Sequence, residues 1–137
     1  MLGYPHQALE KSREALQLSK NIGHSFSLVQ ALIFDAVLHQ FRGRTYIVQE
    51  RIEEVRKISR EQAFPLWIAW GDILWGWSLS EEGQGEEGIA QIQCGIKAWQ
   101  TTGAELTRPY FHTILAVAYT YCISRRNFRC GIHLRVW

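Results

Sequence analysis

Cysteines, signal sequences and long apolar runs are scarce or missing in this sequence. The 137 residues include three cysteines, Cys94, Cys122 and Cys130, and none of them forms a CxxC pair. An odd number of cysteines argues against a disulfide framework and fits a reducing compartment. No run approaches the roughly eighteen apolar residues of a membrane-spanning helix, and the N-terminus lacks the pattern of a signal peptide. We therefore expect a soluble, cytoplasmic protein that does not enter a membrane.

Net charge is small, and its distribution along the chain is uneven. The formal charge is +2, but residues 125–137 hold no acidic residue and four arginines, Arg125, Arg126, Arg129 and Arg135. Without this stretch acidic residues outnumber basic ones, which is not typical of a protein that binds nucleic acid. We separate a domain at residues 1–124 from a basic tail at residues 125–137. The tail is interpreted either as a segment foreign to the domain or as an improvised cap, a short helix with Phe128, Ile132 and Val136 on one side.

Residue patterns for catalysis and for metal binding are missing. The five histidines do not pair with another His, Cys or carboxylate at the spacing of metal ligands. The chain has no phosphate-binding loop of the GxxxxGKS type, no GxSxG elbow and no GxGxxG turn after a strand. The stretch GQGEEG leads into Glu86 and Glu87, whose carboxylates suit a first helical turn and would repel a phosphate there. We expect no enzymatic activity, no metal and no cofactor.

A long internal repeat is the strongest pattern in the sequence. The stretch GYPHQALEKSREALQLSKNIG at residues 3–23 is matched eighty residues later by GQGEEGIAQIQCGIKAWQTTG at residues 83–103. Gly3, Gly43 and Gly83 are forty residues apart, a spacing typical of stacked-repeat proteins. Within both stretches apolar residues recur every three or four positions, which predicts amphipathic helices.

Three further segments are apolar nearly all round, as expected for helices packed between neighbours. They begin at Ser25, Pro65 and Pro109. Ser25 is predicted to cap its helix, and each proline suits a first helical turn, where its missing amide is not needed. The third segment begins forty-four residues after the second, and we place the extra residues in a loop. Six helices are therefore predicted, at residues 5–22, 25–42, 44–61, 65–82, 85–102 and 109–123.

Small residues at regular places resemble the pattern of the tetratricopeptide repeat family. In that pattern one small residue lies seven positions before a turn glycine, and two others follow the glycine by five and twelve positions. The matching residues here are Ala36, Gly76 and Thr120 in the apolar segments and Ala8, Ala15, Val48, Val55, Gly88 and Gly95 in the amphipathic ones. The resemblance covers residues 3–123. It implies an all-α, right-handed superhelix of about three helix pairs with a period of about forty residues, which begins with an outer helix.

One stripe of the inner helices lines a concave groove in such arrays. The resemblance implies that a protein or peptide partner binds this stripe, which here consists of Gln30, Ile33, Val37, Gln40, Trp70, Ile73, Trp77, Ser80, Ile114, Val117, Tyr121 and Ser124. Trp70, Trp77 and Tyr121 would project together into the groove, where large rings are suited to grip a peptide helix or an apolar ligand. The alternative is that these rings only fill a tight superhelix. Three other tryptophans are assigned to the core between helices: Trp67, Trp75 and Trp99.

The long period and phrases such as GHSFSLVQAL resemble the C-terminal repeat arrays of large bacterial signalling ATPases, which include cyclase-linked and LuxR-type proteins. This resemblance implies a non-enzymatic protein–protein interaction module that derives from a larger signalling or regulatory protein. The alternative is a small-molecule-sensing helical-repeat domain of a transcriptional activator. The first helix lacks an inner partner and the last lacks an outer one, so the chain is either a piece of a longer array or a protein that covers these ends by homodimerisation.

Overall fold

The computed structural model describes residues 5–129, and this part of the chain contains six α-helices and no strand. The prediction of an all-α fold is therefore confirmed. The helices are α1 (Pro5–Ile22), α2 (Ser25–Phe41), α3 (Thr45–Gln62), α4 (Pro65–Glu81), α5 (Gly85–Thr101) and α6 (Arg108–Arg129). The first five agree with the predicted ranges to within one residue at each end.

Local signals explain where most helices begin and end. Gly43 and Gly83 follow α2 and α4 with φ angles of 69° and 97°, which favour glycine. Ala63 adopts the left-handed conformation after α3, with φ 55°. One predicted cap is wrong: the N-cap of α2 is His24, not Ser25. Because Nδ1 of His24 accepts a hydrogen bond from the Ser27 amide at 3.3 Å, the imidazole satisfies a free amide of the first turn.

Helix α6 extends six residues beyond its predicted end at residue 123 and reaches Arg129. The two other inner helices each end two residues before a turn glycine, whereas Asn127 stands at the equivalent place in α6 and the helix continues through it. The predicted division between residues 124 and 125 therefore falls within a helix. Ile132 and Val136, which the cap interpretation uses, lie outside the described residues.

The packing of the helices follows the order of the chain. Each helix packs against the next one, and the inner helices also pack against each other, α2 against α4 and α4 against α6. Helix α4 thus contacts four others and is buried nearly all round. This is a helical-repeat arrangement with α1, α3 and α5 as outer helices and α2, α4 and α6 as inner ones. Its right-handed sense stays a prediction.

Small residues bring the backbones of α4 and α5 into contact. A Cβ atom on Gly76 would lie 2.6 Å from the carbonyl oxygen of Gly88, and one on Gly95 would lie 3.0 Å from the carbonyl oxygen of Ala69. These distances leave no room for a side chain. In the α2–α3 pair the equivalent places hold larger residues, Ala36, Val48 and Val55, all fully buried.

Candidate functional site

The twelve residues of the predicted groove stripe do not form one continuous open surface. Six are buried: Ile33, Trp70, Ile73, Trp77, Ser80 and Ile114. Val37 and Gln40 are half-buried, and the exposed members are Gln30, Val117, Tyr121 and Ser124. The central helix α4 contributes only buried residues to the stripe. A partner that lay along the stripe would therefore find no exposed stripe residue on α4.

Two of the stripe residues on α4 lie against α5. A Cβ atom on Gly95 would be 2.6 Å from Cγ1 of Ile73, and one on Gly88 would be 2.8 Å from the amide nitrogen of Ser80. Ile73 and Ser80 are therefore part of the α4–α5 interface. Gln40 of α2 is engaged by α6, because its side-chain oxygen accepts a hydrogen bond from the hydroxyl of Tyr110. Burial raises the pKa of Tyr110, and this hydrogen bond opposes the rise.

Trp70 lies at the centre of a cluster of aromatic rings. Its ring centroid is 6.0 Å from that of Phe34 in α2, 5.5 Å from that of Trp99 in α5 and 5.5 Å from that of Phe111 in α6. The indole of Trp67 stacks on it at 5.8 Å. Burial of Trp67 and Trp99 agrees with their assignment to the core. Trp70 thus holds inner helices together, as the packing alternative proposed.

Three exposed phenylalanine rings lie on α2, outside the predicted stripe. Phe26, Phe34 and Phe41 are 43%, 49% and 71% exposed. Eight and seven residues separate them, so they share one side of the helix, and Gln30 and Val37 of the predicted stripe lie between them. We call this surface, formed by Phe26, Gln30, Phe34, Val37 and Phe41, the α2 aromatic face.

Each phenylalanine of the α2 aromatic face contacts a buried or half-buried ring of another inner helix. Phe26 contacts the ring of Trp67 at 5.7 Å, Phe34 contacts Trp70 at 6.0 Å, and Phe41 contacts Tyr110 of α6 at 6.3 Å. Each exposed phenylalanine therefore rests on a ring of a neighbouring inner helix. Sequence reasoning missed these three residues because α2 is apolar all round, and only the positions of α4 and α6 decide which side stays open.

A cleft of about 720 Å³ lies between the α4–α5 turn and the second half of α6. Three residues of the predicted stripe line it, Ser80, Tyr121 and Ser124. The Oγ atom of Ser80 is buried and has no hydrogen-bond partner within the described structure. Cys122 lines the cleft as well, close to Gly85 at the start of α5.

Arg125 fastens α6 to the end of α4 beside this cleft. Its Nη2 donates a hydrogen bond to the carbonyl oxygen of Glu81 at 3.1 Å, where the last carbonyls of a helix attract a cation. A side chain on Gly83 would collide with Nη1 of the same guanidinium. Burial raises the pKa of the Glu81 carboxyl, and the charge of Arg125 opposes this. The first residue of the predicted basic tail is thus part of the packed structure.

A buried charged cluster around Asp35 ties α1, α2 and α3 together, and its residues do not line the cleft beside α6. Asp35 accepts hydrogen bonds at 2.7 Å from the hydroxyl of Ser12 in α1 and at 2.7 Å from Nε of Arg51 in α3. His39 lies one turn further along α2, with Nε2 3.6 Å from Asp35 Oδ2. Among the described residues, no group of three or more His, Cys, Asp or Glu is placed to hold a metal ion.

Comparison of the chain with models of known families, with curated proteins and with solved structures gave no match. Between residues 5 and 129, none of the helices is both long enough and apolar enough to cross a bilayer. The geometry of the site itself is therefore the basis for a functional proposal.

Proposed function

We propose that this chain is a non-enzymatic protein–protein interaction module of the tetratricopeptide type, whose α2 aromatic face binds an apolar segment of a partner protein. The observation that carries the proposal is the exposure of Phe26, Phe34 and Phe41 on one side of a single helix. Contiguous exposed apolar surface of this kind marks interaction sites, because a partner that covers the rings removes their area from water. Aromatic residues also supply much of the binding energy in protein interfaces.

Two features support the tetratricopeptide type. Outer and inner helices alternate at a spacing of about forty residues, and the small residues Gly76, Gly88 and Gly95 lie where helices cross. In arrays of this type the inner helices present the binding surface, and α2 is an inner helix. The resemblance to arrays of bacterial signalling proteins further supports a partner that belongs to a signalling system, either a separate protein or another part of a larger parent chain.

The proposal is tested by selecting peptides from a random display library on the folded chain and measuring their affinity by fluorescence anisotropy. We expect apolar or aromatic peptides whose binding weakens at least about tenfold in Phe34→Ala, because loss of a central ring typically costs more than about 1.4 kcal/mol. Tyr46→Ala is the control, since Tyr46 is an exposed ring on the outer helix α3. It should bind as the wild type does.

Circular dichroism should show that Phe34→Ala, Phe41→Ala and Tyr46→Ala remain folded, as expected for substitutions of exposed side chains. If selected peptides bind Phe34→Ala and Phe41→Ala as tightly as the wild-type chain, the α2 aromatic face is not the binding surface. If binding is lost equally in Tyr46→Ala, the peptides recognise the outer helices, and the proposed site is wrong.

The cleft beside α6 supports a second candidate, a small-molecule sensor. Its volume of about 720 Å³ lies within the range of roughly 300–1,000 Å³ that is usual for ligand pockets. A small-molecule library screened by tryptophan fluorescence should then give ligands that stabilise the wild-type chain. Binding should be lost in Ser124→Trp, which fills the cleft, and retained in Phe34→Ala. Ligands that behave in the opposite way would place the small-molecule site on α2.

A further inference from the structure

The three rings of the α2 aromatic face all contact helices that follow α2 in the chain. Phe26 and Phe34 contact rings of α4, and Phe41 contacts Tyr110 of α6. On α4 the residue equivalent to Phe34, forty positions later, is Leu74, which is fully buried. Phe34 is 49% exposed at the same place. The rings are thus uncovered although the helices next to them are present.

The exposed area of the three rings is small for a contact between two folded proteins. With about 200 Å² for a fully exposed ring, the exposed fractions of Phe26, Phe34 and Phe41 correspond to roughly 330 Å². A standard interface buries about 800 Å² on each partner. Two copies of this chain that met through this face would bury less than half of that area through these rings. A single peptide segment, which covers one side of one helix, matches the available area.

The chemistry of the face favours a helix over an extended peptide. Apart from its three phenylalanines the face consists of Val37 and Gln30, and only Gln30 has a hydrogen-bonding side chain. An extended peptide would place its backbone amides and carbonyls on rings that offer them no partner, and these groups would lose their hydration. The described residues contain no strand edge to which such a peptide could add. A helix satisfies its backbone groups internally and presents only side chains.

The length of the face sets the length of such a helix. Phe41 follows Phe26 by fifteen positions, which corresponds to about 22 Å along α2. A helix of about fifteen residues covers this distance. Apolar residues spaced by three and four positions would place one side of that helix on all three rings.

Basic residues lie at the end of the face that carries Phe41. Arg42 follows Phe41 directly, and Arg108 begins α6, whose Tyr110 contacts Phe41. Both arginines are exposed, and neither forms an ion pair with another described residue. Glu105 stands three residues before Arg108, whereas no acidic residue lies within six residues of Arg42. Acidic side chains of a bound helix would therefore meet unpaired positive charge at this end.

We infer that the occupant of the α2 aromatic face is an amphipathic helix of a partner protein, with apolar residues on the three phenylalanines and acidic residues beside Arg42. This inference rests on the function proposed above and specifies its partner. Acidic residues suit the first turn of the bound helix, because carboxylates there stabilise a helix. The bound helix then begins beside Phe41 and runs antiparallel to α2.

Three fluorescent peptides of about eighteen residues, or about five helical turns, test the inference by anisotropy at low salt. The first has leucine and phenylalanine at helical spacing and glutamates in its first turn. The second has lysines in place of the glutamates, and the third is the first with a central proline. The first peptide should bind and gain helical circular dichroism. The other two should bind at least about tenfold more weakly, because one loses the complementary charge and the other cannot form the helix.

A charge-reversal variant locates the acidic end. Arg42→Glu should bind the glutamate peptide about three- to tenfold more weakly and the lysine peptide more tightly than the wild type does. Lys97→Glu, at an exposed position of the outer helix α5, makes the same change of charge and is the matched control. It should leave both affinities unchanged. Circular dichroism should show that both variants are folded, since both positions are exposed.

The outcomes separate this inference from the function on which it rests. Equal binding of all three peptides, with a loss in Phe34→Ala, would overturn the acidic helix and leave the face as an apolar binding site. A glutamate peptide that fails to bind below about 1 mM would overturn the inference as well, while peptides selected from the random library still test the proposed function. Sedimentation that shows a wild-type dimer and a monomeric Phe34→Ala would place a second copy on the face, and the inference would be wrong.

Discussion

His39 illustrates how burial of a single residue sets its protonation. It lies within the cluster around Asp35, and both side chains are almost inaccessible to solvent. Burial lowers the pKa of His39, the nearby charge of Asp35 raises it, and neighbouring arginines lower it. Burial is the largest of these effects, and the net change is downward. The Nδ1 atom of His39 has no hydrogen-bond partner within the described structure. The imidazole therefore contributes mainly by filling space in the core.

This shift makes stability depend on pH in one direction. The unfolded chain takes up a proton near the ordinary pKa of 6.5, whereas folded His39 takes it up at a lower pH. The contribution of His39 is therefore fully present above 6.5, and the free energy of unfolding falls as pH drops from there toward the folded pKa. His39→Gln should flatten this part of the profile, while His112→Gln, at an exposed position of α6, should not.

Urea unfolding between about pH 7.5 and about pH 5 measures the effect. The comparison of slopes matters more than the absolute stabilities, because the substitution of a buried residue also has a cost at every pH. If the wild-type protein and His39→Gln lose stability in parallel as pH falls, His39 is not the group responsible.

At the level of the helix, sequence signals predicted a boundary to within one residue wherever a turn glycine follows the element or a proline lies in its first turn. Gly43 and Gly83 end their turns with positive φ, and Pro65 begins α4. The end of α6 could not be predicted in this way, because Asn127 replaces the turn glycine and no other residue there breaks a helix. The cap of α2 was missed for a related reason, since a histidine accepts a hydrogen bond only in one tautomer and is not a usual cap.

Three glycines within helices give a matched test of the close contact between α4 and α5. A Cβ atom on Gly88 would lie 2.5 Å from the carbonyl oxygen of Gly76, whereas one on Gly71 would lie 3.4 Å from Cγ2 of Ile52, an ordinary contact. Gly88→Ala and Gly76→Ala should each lower the free energy of unfolding by about 1–3 kcal/mol, because backbones must move apart. Gly71→Ala should be neutral or stabilising by up to about 1 kcal/mol, since alanine favours the helix.

Urea denaturation of the three variants measures these differences. Stabilisation by Gly88→Ala similar to that by Gly71→Ala would mean that α4 and α5 are not in backbone contact. The small residues Gly76, Gly88 and Gly95 would then need an explanation other than close helix packing.

At the scale of the whole molecule, the repeat could be predicted from the sequence, but the open surface could not. The predicted groove stripe included Trp70 and Ile73 because they occupy the stripe positions of an inner helix. In the structure α4 packs against four other helices, so Trp70 and Ile73 are buried. Phe34 and Phe41 of α2 are exposed. Periodicity identifies which residues share a side of a helix. It does not show how many other helices surround that helix.

Trp70 should contribute to the stability of the whole stack and not only to its own repeat. Repeat proteins are held together mainly by contacts between adjacent units, and this indole contacts rings on α2, α5 and α6 at once. Trp70→Ala should therefore lower the free energy of unfolding by about 3–5 kcal/mol. Hydrogen exchange should show reduced protection in α2, α4, α5 and α6 together. A loss confined to α4, or a cost no greater than that of the control Tyr46→Ala, would show that the aromatic cluster does not couple the repeats.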